Sequence, residues 1–102
     1  MKDNVLNFTQ TLKDFNGAEV LGEEQKPIVY SVIVINALMH TNEEDKTLSG
    51  VDKLTRFKLA ERIFTTPQNI TLTDEEKKLI NDVVGKLYSV FIVGTVNKFL
   101  EG

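Results

Sequence analysis

A cysteine-free chain of 102 residues with a net charge of −3 is long enough for one domain with a modest hydrophobic core. Without cysteine the chain cannot form disulfides, thiolate nucleophiles or cysteine-ligated zinc and iron–sulfur sites. The apolar fraction of 41% is typical of a folded chain, so we expect a single domain over residues 1–102.

The first predicted element is an N-terminal β-hairpin over residues 1–22. Residues 5–12 alternate between apolar and polar side chains and are rich in β-formers, which predicts a half-buried strand. Asn16-Gly17 suits the two positive φ angles of a type I′ turn, and a short return strand would then place Asp14 opposite Glu19. We expect this hairpin to cap the core; the alternative is a strand edge or loop tip offered to a partner.

Residues 27–41 form the first predicted helix. Pro27 suits the first helical turn, and residues 28–39 are almost wholly apolar. Their β-branched content fits a buried strand equally well, so this alternative stays open. His40, the single histidine, is expected at the helix end, where its charged form suits the dipole. The acidic run 42–45 lacks the spacing of a calcium loop, so no metal site is predicted.

Residues 50–64 form the second predicted helix, with Ser49 as its cap and Asp52 in its first turn. Its apolar positions predict one broad arc that faces the core. Those positions are Val51, Leu54, Phe57, Ala60, Ile63 and Phe64. Beyond Pro67, residues 68–72 read as a short extended piece with Ile70 and Leu72 facing inward.

Two further helices are predicted at residues 74–87 and 90–100. Thr73 followed by Glu76 is a capping box, and Tyr88-Ser89 is the expected break between the helices. Gly85 and Gly94 each cost about 1 kcal/mol inside a helix, so each is predicted to mark a break or a close backbone approach. The resulting fold class is mainly α (α+β), an N-terminal hairpin followed by a compact bundle of about four helices.

The apolar surface of the last predicted helix exceeds what one face needs. We therefore expect it to be fully buried or to form an interface with a partner or a second copy of the chain. The residues assigned to this interface are Phe91, Ile92, Val96 and Phe99.

Charge is unevenly distributed along the chain. The formal net charge is −5 for residues 1–45, +3 for residues 46–66 and −1 for residues 67–102. Binding to nucleic acid requires a basic surface, which the acidic total opposes and the central segment permits. The residues that would contact phosphates are Lys53, Arg56, Lys58 and Arg62.

Several segments resemble small proteins encoded in tailed-phage and prophage genomes. They are Leu48-Ser49-Gly50 with Lys53-Leu54-Thr55-Arg56-Phe57-Lys58-Leu59-Ala60, Leu72-Thr73-Asp74-Glu75-Glu76 with residues 80–84, Val93-Gly94 with Leu100-Glu101-Gly102, Asn36-Ala37-Leu38, and Asp14-Phe15-Asn16-Gly17. The resemblance covers about two-thirds of the chain and lies in helix caps and core positions. It implies a phage origin and a common fold, and it carries over no functional residue.

An enzyme is not expected, because the chain has one histidine, no serine in a nucleophile-elbow setting and no glycine-rich phosphate loop. No catalytic residue, metal or cofactor is predicted.

The leading hypothesis is a small phage-type protein-binding module that modulates a host protein or assembles with itself or other phage proteins. The alternatives are a nucleic-acid-binding regulator with a helical or winged-helix-like domain, or a structural virion component. With no signal-peptide layout at the N-terminus and no run that spans a bilayer, a cytoplasmic location without membrane contact is expected.

Overall fold

The structure, a computed structural model, describes residues 5–40 and 49–101. Its helices are α1 Tyr30–Met39, α2 Gly50–Thr65, α3 Asp74–Leu87 and α4 Val90–Glu101, and its strands are β1 Val5–Leu6 and β2 Ile70–Thr71. The predicted class, mainly helical with an N-terminal antiparallel hairpin, is confirmed. The acidic run 42–45 lies outside the described residues.

The hairpin turns at residues 14–17, but its geometry differs from the predicted type I′ turn. The Gly17 N–H donates to the Asp14 carbonyl at 3.0 Å, and Gly17 has a φ of 85° whereas Asn16 is not in the positive-φ region. The turn is therefore a three-residue loop that ends in a left-handed glycine. The Asp14 carboxylate fixes it by accepting from the backbone N–H of Asn16 and of Ala18, at 2.8 and 3.0 Å.

The register of the hairpin also differs from the prediction. Lys13, not Asp14, pairs with Glu19, and their side chains form an ion pair of 3.9 Å. The longer turn shifts the pairing by one residue, which replaces a repulsive pair by an attractive one. The strand predicted for residues 5–12 is divided, because Val5–Leu6 pairs with Ile70–Thr71 instead of with the hairpin.

Three extended segments close into a ring of backbone hydrogen bonds before α1. The Leu12 N–H donates to the Ile28 carbonyl, the Ile28 N–H to the Val20 carbonyl, and the Val20 N–H to the Leu12 carbonyl, at 2.9, 3.0 and 2.9 Å. Pro27 pairs with Leu21 in this ring, so the predicted helix start at residue 27 is wrong. Helix α1 begins three residues later, because the ring holds residues 27–29 extended.

Helix α2 has the predicted bounds to within one residue, and the Ser49 side chain accepts the Asp52 N–H at 3.1 Å. Its inward face differs from the predicted arc. The buried residues are Arg56, Leu59, Ala60 and Ile63, whereas four of the six predicted core positions point outward.

The predicted start of α3 and the predicted break between α3 and α4 are confirmed. Thr73 and Glu76 form the complete capping box, and the chain leaves the helix at Tyr88 before α4. The prediction for Gly85 and Gly94 is wrong, since both helices continue through them. A Cβ added at either glycine would meet no atom within 4 Å.

One hydrophobic core joins the described segments. Its fully buried side chains come from the hairpin region and all four helices, and they include Phe8, Leu12, Ile33, Ile63, Ile80 and Leu100. Helix α1 packs on α2 and α3, and α3 packs on α4. Within residues 5–40 and 49–101, no helix is long and apolar enough to cross a membrane.

Candidate functional site

Helix α2 carries an apolar face on the side opposite the core. Val51, Leu54, Phe57 and Phe64 are 74, 50, 48 and 75% exposed, and their spacing of three and seven residues places them along one side of the helix. We call these four residues the outer stripe. The six-residue apolar arc of the sequence is thus two faces, one buried and one open to solvent.

Lysines lie on both edges of the outer stripe. Lys53 is one turn before Phe57, and Lys58 is one turn after Leu54 on the other edge, while Glu61 stands inside the stripe. All three side chains are exposed. Helix α2 holds four basic and two acidic residues, so it carries +2, and the rest of this −3 chain carries −5.

The four basic residues predicted to contact phosphates do not form one surface. Arg56 points inward and is only 8% exposed. Arg62 donates to the Glu76 carboxylate at 3.1 Å. Lys53 and Lys58 lie on opposite edges of the helix. A nucleic-acid backbone needs several cations along one track, and this arrangement supplies no such track.

Glu76 ties α2 to the start of α3. Its carboxylate accepts from the Thr73 N–H at 2.9 Å and from Arg62 at 3.1 Å. Partial burial raises the pKa of this carboxyl, but the Thr73 hydrogen bond and the charge and hydrogen bond of Arg62 outweigh it, so the pKa is lowered. The Arg62 side chain is therefore held by its ion pair with Glu76, a contact within the fold.

The four residues predicted as an interface on α4 occupy different environments. Val96 is fully buried, and Ile92 and Phe99 are half-buried against the core. Phe91 instead meets Phe15 of the hairpin turn edge to face, with ring centroids 5.7 Å apart. The fold itself thus covers much of the surplus apolar surface of α4, and the interface assignment stays a prediction.

An aromatic groove opens between the hairpin and α4, with a volume of about 600 Å³. Phe91 and Phe99 line it from the helix, Phe15 from the turn and Tyr30 from the start of α1. The Tyr30 and Phe99 rings are stacked with centroids 4.0 Å apart. The charged residues of its lining are Lys13, Asp14 and Lys98.

Of the residues that line the groove, the sequence patterns assigned only Phe91 and Phe99 to a site, and they misassigned the outer stripe. Phe15 had a visible signal, an aromatic residue inside a polar turn, which a fold-stabilising turn does not require. Tyr30 had none, because its place depends on stacking with Phe99, which lies far away in the sequence. The outer stripe was signalled by an apolar arc too wide for a single buried face.

Within residues 5–40 and 49–101, no three His, Asp or Glu side chains come close enough to hold a metal ion. Comparison of the chain with family models, curated proteins and solved structures finds no match.

Proposed function

We propose that this protein is a small protein-binding module, and that the outer stripe of α2 docks an acidic amphipathic helix of another protein. The observation that carries the proposal is the exposure of four large apolar side chains on one face of a helix. Phe57 and Phe64 alone leave roughly 250 Å² of ring surface in water, taking about 200 Å² for a whole side chain. With Val51 and Leu54, the stripe reaches the size of patches that are often functional.

The charge around the stripe favours an acidic partner. A helix laid along α2 would meet apolar side chains in the middle and Lys53 and Lys58 at the edges, an arrangement that matches a helix with apolar anchors flanked by carboxylates. From Val51 to Phe64 the stripe is about 20 Å long, so three to four helical turns would cover it.

A second copy of this chain is a poorer fit to the same surface. In a two-fold dimer a patch meets its own copy, so a face with two lysines and one glutamate would meet an identical face. Each face carries a net charge of +1 from these three residues, so two copies would bring like net charge together, which disfavours that pairing. Following the resemblance to phage proteins, the partner in this proposal is a host protein or another phage protein, in the cytoplasm of the host cell.

A designed 14-residue helical peptide tests the proposal directly. One version has leucines at helical spacing with glutamates beside them, and the other has lysines in place of the glutamates. We expect fluorescence anisotropy to show binding of the acidic version only. We expect the double variant Leu54→Gln, Phe57→Gln to weaken it at least tenfold. Val90→Gln, which alters an exposed apolar residue on α4 outside the stripe, is the control.

Four results would contradict the proposal. Equal binding of both peptides would remove the role of charge, and unchanged binding by the double variant would place the site elsewhere. Light scattering during size exclusion gives the third. A dimer that becomes monomeric in the double variant would assign the stripe to self-association. Co-elution with short duplex DNA at low salt, lost as salt rises, would instead favour the nucleic-acid alternative.

A further inference from the structure

The aromatic groove is a second surface, separate from the outer stripe, and its size suits a small molecule. Its volume of about 600 Å³ lies within the range of about 300–1,000 Å³ typical of ligand sites. One part of its lining is rigid, because Phe99 stacks on Tyr30 and meets the buried Phe8 edge to face at 5.0 Å. A rigid apolar wall favours a flat, apolar ligand body.

Phe15 extends this wall although the fold does not need it. The side chain is 98% exposed, and its described ring contact is the edge-to-face pair with Phe91. Exposed aromatic surface of this kind gains stability only when something covers it. The Asp14 carboxylate fixes the turn beside it through two backbone hydrogen bonds, so Phe15 is held at the mouth of the groove.

Three charged residues line the groove, Lys13, Asp14 and Lys98. The Asp14 carboxylate accepts from the backbone N–H groups of Asn16 and Ala18. Lys13 is paired with Glu19 at 3.9 Å and donates to Thr11 at 3.4 Å. Lys98 makes no ion pair within the described part of the chain. Burial raises the pKa of the Tyr30 hydroxyl, which therefore stays protonated and is a hydrogen-bond donor at neutral pH. One ammonium group beside a donor suits a single carboxylate.

We propose that the aromatic groove binds a small planar aromatic monocarboxylate, with the ring laid on the exposed face of Phe15 at the mouth and the carboxylate at Lys98. The planar part of the ligand covers the exposed ring of Phe15. The carboxylate gives Lys98 the counter-charge that it lacks in the described chain. This inference does not depend on the proposed function, because no member of the groove belongs to the outer stripe.

Two matched probes test the proposal, 2-naphthylacetate and the uncharged 2-naphthylacetamide. In ¹H–¹⁵N spectra we expect saturable shifts at hairpin and α4 amides, with the carboxylate binding about two- to fivefold more tightly, the gain of an exposed ion pair. We expect Lys98→Ala to abolish this preference, while Lys78→Ala, at an exposed lysine of α3, keeps it. Phe15→Ala should weaken both probes about fivefold, equivalent to one aromatic contact.

The variant Phe15→Ala is informative because loss of a 98% exposed side chain should change the free energy of unfolding little. Unchanged affinity in Phe15→Ala would overturn the proposed ring position, and equal affinity for both probes would overturn the role of Lys98. Shifts confined to α2 amides would show binding at the outer stripe instead. Tighter binding of adenosine monophosphate than of the carboxylate would replace the monocarboxylate by a nucleotide.

Discussion

Two turns with the same pattern of backbone hydrogen bonds differ in the residue that occupies the fourth, left-handed position. In residues 14–18 and 22–26, the first N–H donates to the fifth carbonyl and the fourth N–H donates to the first carbonyl. The fourth residue is Gly17, with a φ of 85°, in one turn and Gln25, with a φ of 58°, in the other. In the second turn the third residue, Glu24, also has a positive φ, of 56°. We expect Gln25→Gly to stabilise the protein and Gly17→Ala to destabilise it.

The size of the effect follows from two opposing contributions. A non-glycine residue in the left-handed region costs about 1–2 kcal/mol, whereas glycine gives the unfolded chain an entropic advantage of about 0.4–1 kcal/mol. The net gain expected for Gln25→Gly is therefore about 0.5–1 kcal/mol. At about 2.1 cal/mol/K per residue, this raises the Tm by about 2–5 °C. Gly17→Ala should lower the free energy of unfolding by a similar amount, and its new methyl group would meet no atom within 4 Å.

Urea unfolding at pH 7, followed by far-UV circular dichroism, would measure the free energy of unfolding of both variants. Thermal scans would give their Tm values. The two changes should have opposite signs and similar sizes, with unchanged m-values. A loss of stability in both variants would refute the reasoning, because it would show that the Gln25 side chain contributes more than its backbone strain costs.

Three further predictions concern the helices. Thr73→Ala removes the cap of α3 and should lower the free energy of unfolding by about 1 kcal/mol. Gly85→Ala should raise it by up to about 1 kcal/mol, because the new methyl group meets no atom within 4 Å. Glu76→Gln tests the lowered pKa of Glu76. The wild type should be more stable than this variant at pH 7, and the difference should shrink as the pH falls through the folded-state pKa. Urea titrations at several pH values would measure all three.

Local signals in the sequence predicted the helical part of the fold closely. The bounds of α3 were predicted to the residue, because Thr73 and Glu76 form a capping box within four residues of chain. The break at Tyr88 was also predicted from local sequence, because the helical repeat of apolar residues in α3 ends at Leu87. Such signals are informative because both partners of each interaction lie within one helical turn.

Contacts between distant parts of the chain determined the features of the fold that local sequence patterns did not predict. Pro27 suited a helix start by its local rule, but pairing with Leu21 held it extended. The strand Val5–Leu6 found its partner at Ile70–Thr71, and no pattern within either segment indicates the other. The groove between hairpin and α4 was missed for the same reason.

The outer stripe lies on α2, whereas the aromatic groove lies between the hairpin, the start of α1 and α4, so the two surfaces share no residue. Substitutions at distant sites with no shared partners act additively. The Leu54→Gln, Phe57→Gln variant should therefore leave binding of 2-naphthylacetate unchanged, and Phe15→Ala should leave binding of the acidic peptide unchanged. A variant on one surface that weakens binding at the other would show that the two are coupled through the fold. In that case the groove ligand would be an effector of the partner interaction, since such coupling is reciprocal.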